Sequence, residues 1–531
     1  MSAPQPKKPF NLLNKNKSLA AQMYTMPSKA ALVKPATTPR PLAPSGIKPA
    51  SQTKFAKNGL PKINGTSRKS LTPSRSSSRQ GSSEPRESAR NGKIAKPKRS
   101  SPIVTTPQWA SDEDDESESR RKRVKIEQKD ETDHDRIVRD PGSFSDSSTS
   151  YNIIHAADIA NSSIQQHGRY QFGEYFSALQ EDEEECPTIN LQYPCGSLTE
   201  RYQLVKPTDR SDFKPLSEIQ DNMKMVAEFY MDEAARELID PPDFGGGGLV
   251  GKLGKSAKDS ARAGAQQRFI DVVDEYNTLI ANKRADGTIS SRLDTMTSPI
   301  PLKLVQHIVK DQIYARTVSP DVDLVREYES FSDNVYGELL PKFLSIIFRE
   351  TQLKSDQIFV DLGSGVGNCV LQAALEIGCQ SWGCEVMKNP AKLAAKQAEE
   401  FPSRCKMWGI KPGEIRLIQD DFTINTDLRA TLRQADVVLV NNQAFTAELN
   451  DTLKYIFLDL KEGCQIVSLK YFRDPAHRIE TRNINDPTNV LRVVEKERFS
   501  GMVSWSDDPG RWYLHVKDTT ELRAVQKQLE S

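Results

Sequence analysis

The chain has 531 residues, 37% of them hydrophobic, and its 73 Lys+Arg against 72 Asp+Glu leave a formal charge of +1. No apolar run approaches the roughly 20 residues that a membrane-spanning helix needs, and the N-terminus lacks the apolar core of a signal peptide. The seven cysteines include no Cys-x-x-Cys pair and no histidine at metal-ligand spacing, which speaks against a secreted disulfide scaffold or a metal site. A protein of a reducing compartment, with no membrane and no metal, is expected.

The near-zero net charge hides a strong asymmetry. Residues 1–110 carry 21 Lys+Arg against 2 Asp+Glu. Six acids then crowd residues 112–118, and Arg120, Arg121, Lys122, Arg123 and Lys125 follow at once. Residues 1–150 are rich in Pro, Ser, Lys and Arg and cannot bury enough apolar surface to offset chain entropy, so they read as a disordered tail. Its charge suits a polyanion, most simply nucleic acid, through counterion release. The basic clusters at 93–99 and 120–125 also have the composition of a nuclear-import signal.

Apolar residues return after residue 150, and the acidic run at 181–185 reads as a solvated loop. Met223, Val226, Ala227, Tyr230 and Ala234 recur at helical spacing, which predicts one helix over 219–238. Pro241 and Pro242 end it, and Gly245 to Gly248 form a joint. Further helices are expected over 259–283 and 302–315, making 185–335 a helical subdomain. Pro341 opens another helix, with Leu340, Phe343, Leu344 and Ile347 on one face.

From residue 336 to 518 strands and helices alternate. Strands are expected at 358–362, 382–386, 415–418, 437–440 and 465–469, and a closing β pair at 491–498 and 512–516. Helices are expected at 366–377, 390–405 and 449–460, and residues 519–531 form a helical tail. Alternation of this kind predicts an α/β fold with a mostly parallel, Rossmann-like sheet. Ligands of such sheets sit at the carboxyl ends of the strands, where strand order reverses.

The first strand of that sheet runs into Asp361, Gly363, Gly365 and Gly367, a Gly-x-Gly-x-Gly loop preceded by an acid. A dinucleotide fold wants Gly-x-Gly-x-x-Gly to seat a pyrophosphate, which Asp361 would repel. A cationic amine suits Asp361 better. Glu385 ends the next strand, where a carboxylate takes ribose hydroxyls, and Asp421 with Phe422 follows the third, placed for an adenine edge and face. The order acid–glycine loop, ribose acid, adenine pair favours S-adenosylmethionine over NAD and predicts a class I methyltransferase.

After the fourth strand come Asn441, Asn442, Gln443, Ala444 and Phe445. Amino-group DNA methylases need an Asp/Asn-Pro-Pro-aromatic turn here to hold a flipped base, and both prolines are missing. Asn442 reads equally as a turn residue or as a direct participant. The segment Tyr336, Gly337, Glu338 and Leu339 reads as a lid, or as an ordinary helix N-terminus. No acid or histidine in the substrate turn reads as a general base, so deprotonation of an incoming amine by water is expected.

The stretches VYGEL (335–339), FVDLGSGVGNCVLQAA (359–374), GCE (383–385), DDF (420–422), VNNQAF (440–445), IVSLK (466–470) and VSW with WYLH (503–515) occur in this order. Together they resemble the non-SET histone H3 lysine-79 methyltransferases, the "disruptor of telomeric silencing" family, and its fungal members most. The resemblance covers about residues 200–518. It implies a nuclear enzyme that methylates histone H3 in the nucleosome, with roles in telomeric silencing and the DNA damage response. It implies catalytic roles for Tyr336, Glu338 and Asn441. Cofactor contacts would come from Tyr336, Gly337, Glu338, Leu339, Phe359, Val360, Asp361, Leu362, Gly363, Ser364, Gly365, Val366, Gly367, Asn368, Glu385, Asp421 and Phe422. Phe445, Trp505 and Trp512 would line a lysine channel. Gln443 stands where the family usually has Phe, and Trp512 where it usually has Tyr. A nucleic-acid methyltransferase and a non-enzymatic chromatin-binding protein are the competing readings.

Overall fold

The structure, a computed structural model, describes residues 133–144, 151–166, 172–176, 187–196, 198–208, 213–242, 246–326 and 337–530, all within the compact unit spanning 119–531. The basic clusters at 93–99 and 120–125, the acidic run at 181–185 and Tyr336 lie outside the described residues.

Four short strands come first: β1 (Phe172–Glu174), β2 (Thr188–Gln192), β3 (Thr199–Gln203) and β4 (Val205–Pro207). β1 pairs with β4 and β2 with β3, both antiparallel. The main sheet uses β5 (Ile358–Leu362), β6 (Gln380–Glu385), β7 (Ile415–Gln419), β8 (Val437–Val440), β9 (Gln465–Ser468), β10 (Leu491–Arg498) and β11 (Gly510–Lys517). Its order is β10-β11-β9-β8-β5-β6-β7. β5 to β9 run parallel, and β11 and β10 close the sheet antiparallel, as the alternation predicts. Strand order reverses between β5 and β8, so the carboxyl ends of those two strands define the expected crevice.

The short apolar runs form strands because both sheet faces are covered. Phe359, Val437 and Val467 point to the side packed by the Pro341–Thr351 helix, in a cluster with Phe343, Ile347 and Phe348. Their neighbours Val360, Val438 and Ile466 point the other way, toward Leu428, Leu453 and Phe457. This period of two fixes the register, because a one-residue slip would turn each strand inside out.

Several elements differ from the sequence expectation. The helix expected over 219–238 is two, Pro215–Tyr230 and Glu233–Ile239, because Asp232 accepts a hydrogen bond from the Ala235 amide (2.8 Å) and starts a new helix. The helix expected over 259–283 is present as Ala265–Ala285, and a separate helix that was not expected, Gly248–Lys258, precedes it. The part read as purely helical also contains β2, β3 and β4. A helix at Thr426–Leu432, capped by Asn425, was not expected. Within the segment read as a disordered tail, residues 133–144 pack on the fold: Val138 is buried, Arg139 pairs with Asp294 (2.7 Å), and the Arg136 guanidinium donates to the Leu375 and Glu376 carbonyls.

A buried ionic network joins the N-terminal subdomain to the sheet domain. Glu200 on β3 receives Arg316 (2.6 Å) and Arg404 (2.5 Å), and Arg316 also reaches Glu218 while Arg404 reaches Glu400 (2.6 Å). Gln312 donates to the Tyr193 hydroxyl (2.9 Å) and accepts from the Trp408 indole (2.8 Å). Burial alone would raise the Glu200 carboxyl, but the two guanidiniums outweigh it and hold it at about 2. Arg316 and Gln312 belong to a helix whose middle turn, His307–Tyr314, is π-helical.

Arg404→Met takes one guanidinium from Glu200 and the ionic partner from Glu400. It should cost about 3–5 kcal/mol in urea unfolding, the cost of stranding a buried charge. Because the folded Glu200 carboxyl lies below its unfolded value, this contribution is complete above roughly pH 4.3 and lost as pH falls toward 2. The difference between wild type and variant should shrink over that window.

Candidate functional site

At the carboxyl ends of β5, β6 and β8 lies a cleft of about 850 Å³, counting its open mouth. That is within the range of small-molecule and cofactor sites. Its floor is the glycine loop. Gly363, Gly365 and Gly367 have φ of +84°, +55° and +91°, the left-handed region where a side chain is strained. At Gly367 a Cβ would also lie 2.8 Å from Leu417. The amides of Gly363 and Ser364 donate to the Cys384 carbonyl (3.0 and 3.1 Å), which ties the loop to β6.

Glu385, at the end of β6, is held by backbone on both oxygens. The Gly365 amide donates to Oε2 (2.8 Å) and the Met387 amide to Oε1 (2.7 Å). Burial raises its carboxyl nonetheless. Asp361 is buried too, and its carboxyl is pushed up to about 7, by burial first and by the charge of Glu385 as well, against a lowering hydrogen bond with Cys369. With Glu338 the cleft carries three carboxylates, and among the described residues no Lys, Arg or His lines it. Such a site favours a cationic ligand over a pyrophosphate.

The lid segment is clamped on two sides. Glu338 N donates to Ser504 Oγ (2.9 Å), Ser504 N donates back to the Glu338 carbonyl (2.9 Å), and Leu340 N donates to the Met502 carbonyl (3.0 Å). From β8, Asn441 Nδ2 donates to the Gly337 carbonyl (3.0 Å). Its Oδ1 is buried with no hydrogen-bond partner among the described residues, and Asn441 lines the cleft. Trp505 lies against Gly337 so closely that a Cβ there would sit 2.7 Å from its ring.

The expected residues therefore divide. Gly337, Glu338, Leu339, Asp361, Gly363, Ser364, Gly365, Val366, Asn368, Glu385, Phe422, Asn441 and Phe445 share one cleft. Phe359, Val360 and Leu362 are core residues beneath it, and Gly367 turns the chain. Asp421 is not on the cleft wall: its Oδ1 accepts from the Thr423 amide and hydroxyl (2.8 and 2.7 Å), closing the turn that presents Phe422. Phe445 stacks on Phe422 (6.2 Å, 27°) in the same cleft. Trp512 corrects the channel reading. Strand alternation turns it inward, where it is 1% exposed, packs on Phe343 (5.8 Å) and donates to the Glu497 carbonyl (3.1 Å).

Asn442 is settled as structural. Its Oδ1 accepts from the Leu469 and Lys470 amides (3.0 and 2.8 Å), and its Nδ2 donates to Asn450 and the Lys470 carbonyl (2.9 and 3.0 Å). Sequence reading missed Cys369, Val386, Met387, Leu439 and Leu449 as cleft residues. Val386 and Met387 carried a signal, since they directly follow the acid that ends β6. Leu449 carried none, because it arrives from a helix.

Residues 314–517 match the family described as "Histone methylation protein DOT1". A protein of Emericella nidulans named "Histone-lysine N-methyltransferase, H3 lysine-79 specific" is 43% identical over 409 residues, covering 77% of this chain and 78% of that one. Proteins of the same name from Aspergillus fumigatus (42% over 445 residues, 82% and 85% covered) and Yarrowia lipolytica (39% over 376, 71% and 73%) are also similar.

Gly337→Ala places a methyl against the Trp505 ring. Cofactor affinity, measured by calorimetry, should fall about tenfold, or roughly 1.4 kcal/mol. Adding Trp505→Ala should restore part of the loss; a double variant no better than the single one would contradict the contact's role.

Proposed function

Because the chain belongs to the DOT1 family of histone methylation proteins, we propose that it is an S-adenosylmethionine-dependent histone-lysine N-methyltransferase acting on lysine 79 of nucleosomal histone H3. The observation that carries the cofactor is the carboxylate-lined cleft without a cation on its walls among the described residues. The substrate rests on the relatives' shared name. A nuclear location, and roles in silencing and the DNA damage response, go with that reading.

The residues present fit the cofactor. Asp361 takes the methionine amine. Each Glu385 oxygen accepts one amide and keeps capacity for a second donor, which suits the two ribose hydroxyls. Phe422, backed by Phe445, offers a face to adenine, while Asp421 holds the turn below. Asn441 lines the cleft, and its buried Oδ1 is an acceptor without a partner among the described residues.

Bound there, the cofactor supplies an electrophilic methyl group on a cationic sulfur, which a neutral lysine amine takes by in-line displacement. The protein's contribution is alignment, which is worth several kcal/mol when reacting groups are held near attack distance. Asn441 serves it by fixing the lid through Gly337 while its Oδ1 stays free to accept. Leu339, Leu439 and Trp505 offer apolar surface that disfavours the ammonium form of an entering lysine. Its proton goes to water before or during entry.

Tritiated S-adenosylmethionine offered with nucleosomes, free histone H3 and bare DNA tests the function. Label should appear on nucleosomal H3; label on DNA, or none with tight cofactor binding, would contradict it. Removing residues 1–130, which spares the packed 133–144 segment, should weaken nucleosome methylation and its salt dependence while leaving cofactor affinity unchanged. Undiminished nucleosome activity would remove the tail's role in DNA binding.

A further inference from the structure

The cofactor reading leaves one charge unanswered. The amino-acid end of S-adenosylmethionine bears an α-carboxylate beside its amine, and the cleft offers it Glu338, Asp361 and Glu385. An anion among three carboxylates needs a cation, and no described residue of the cleft wall supplies one.

A second cavity, of about 680 Å³, adjoins the cleft and shares Glu338, Leu339 and Asn368 with it. Its far wall is the helix around the π-helical turn His307–Tyr314, through Val305, Gln306, Val309, Lys310 and Tyr314. Lys310 is the one cationic side chain among the described residues lining either cavity. It forms no ion pair or hydrogen bond with another described residue, whereas Lys303 on the same helix pairs with Glu228.

Lys310 is exposed on the outer side of this helix. Gln312 is tied to Tyr193, Asn222 and Trp408, and His307 Nε2 meets Asn222 Oδ1 at 2.6 Å, so the buried side of the π turn is fully engaged. The opposite side, with Val309 and Lys310, faces the cavity. A π turn inserts one extra residue into the helical ladder, shifting which residues share a face, and such turns recur at functional sites. A lysine on a flexible four-carbon stem is a mobile point charge with three donors, suited to a carboxylate near the shared wall.

We propose that Lys310 binds the α-carboxylate of the cofactor, completing a divided recognition in which Asp361 takes the amine. This rests on the S-adenosylmethionine reading above. Asn368, at the start of the helix after the glycine loop, also lines the second cavity; its Oδ1 accepts from Gln397 (3.0 Å), which leaves Nδ2 as a neutral donor.

The test compares two ligands that differ only in the carboxylate, S-adenosylmethionine and its decarboxylated form, by calorimetry on the full chain without histone. Lys310→Met should weaken binding of S-adenosylmethionine roughly tenfold, the size of one charge-assisted hydrogen bond, and leave the decarboxylated ligand unchanged. Lys310→Arg should recover most of the affinity. Equal loss for both ligands, or loss for neither, overturns the assignment while the cofactor reading stands. A wild-type chain that binds neither ligand overturns the cofactor reading and the assignment with it.

Discussion

The site depends on a constraint that ordinarily destabilises a protein: two carboxylates, Asp361 and Glu385, buried at adjacent strand ends with no cation on the cleft wall among the described residues. Burial and mutual repulsion raise the Asp361 carboxyl to about 7. A pair of this kind is tolerated where a ligand supplies the missing charge. On the proposed reading, that electrostatic deficit is the recognition device, and it favours a cationic cofactor over the phosphate-bearing dinucleotides that share the sheet architecture.

The rest of the fold holds that pair in place. The parallel register of β5 and β6 sets Asp361 opposite Gly383 and Leu362 opposite Cys384, so Glu385 lies one residue past the last pair, level with the start of the loop it braces. Backbone amides of Gly365 and Met387 fix its two oxygens, and the glycine turns bring those amides within reach. Farther out, the network around Glu200 joins β3, the π turn and the Lys388–Met407 helix. The second cavity's wall is therefore positioned by contacts on the far side of the same helix. The lid belongs to this scheme through Asn441, which links the end of β8 to Gly337.

What was legible in the sequence was local. β5, the acid before the glycine loop, Glu385 and Phe422 could be read because strand period, turn chemistry and residue type coincide within a few positions. The break at Asp232 was masked, since apolar spacing continues across it while a side-chain cap decides the boundary. Trp512 misled because the resemblance assigned it by its place in the motif, whereas β11 alternation turns it inward. Asp421 has a role that its position did not announce: its Oδ1 holds the Thr423 amide and hydroxyl and shapes the turn that presents Phe422. The Glu200–Arg404 pair spans 204 residues, and no local pattern announces it. The DOT1 relatives bear out the family, while the buried chemistry had to come from three dimensions.

On the proposed reading, a protonatable, buried Asp361 answers the cofactor's positive charge. Calorimetry of S-adenosylmethionine binding between pH 5.5 and 7.5, in buffers of different ionisation enthalpy, tests it directly. Because the free carboxyl titrates at about 7 and binding favours its ionised form, binding should release close to one proton at the acid end. Affinity should rise up to about tenfold per pH unit below the midpoint, then level off above it. Asp361→Asn should abolish most of that release. An affinity independent of pH, or proton uptake on binding, would contradict the account.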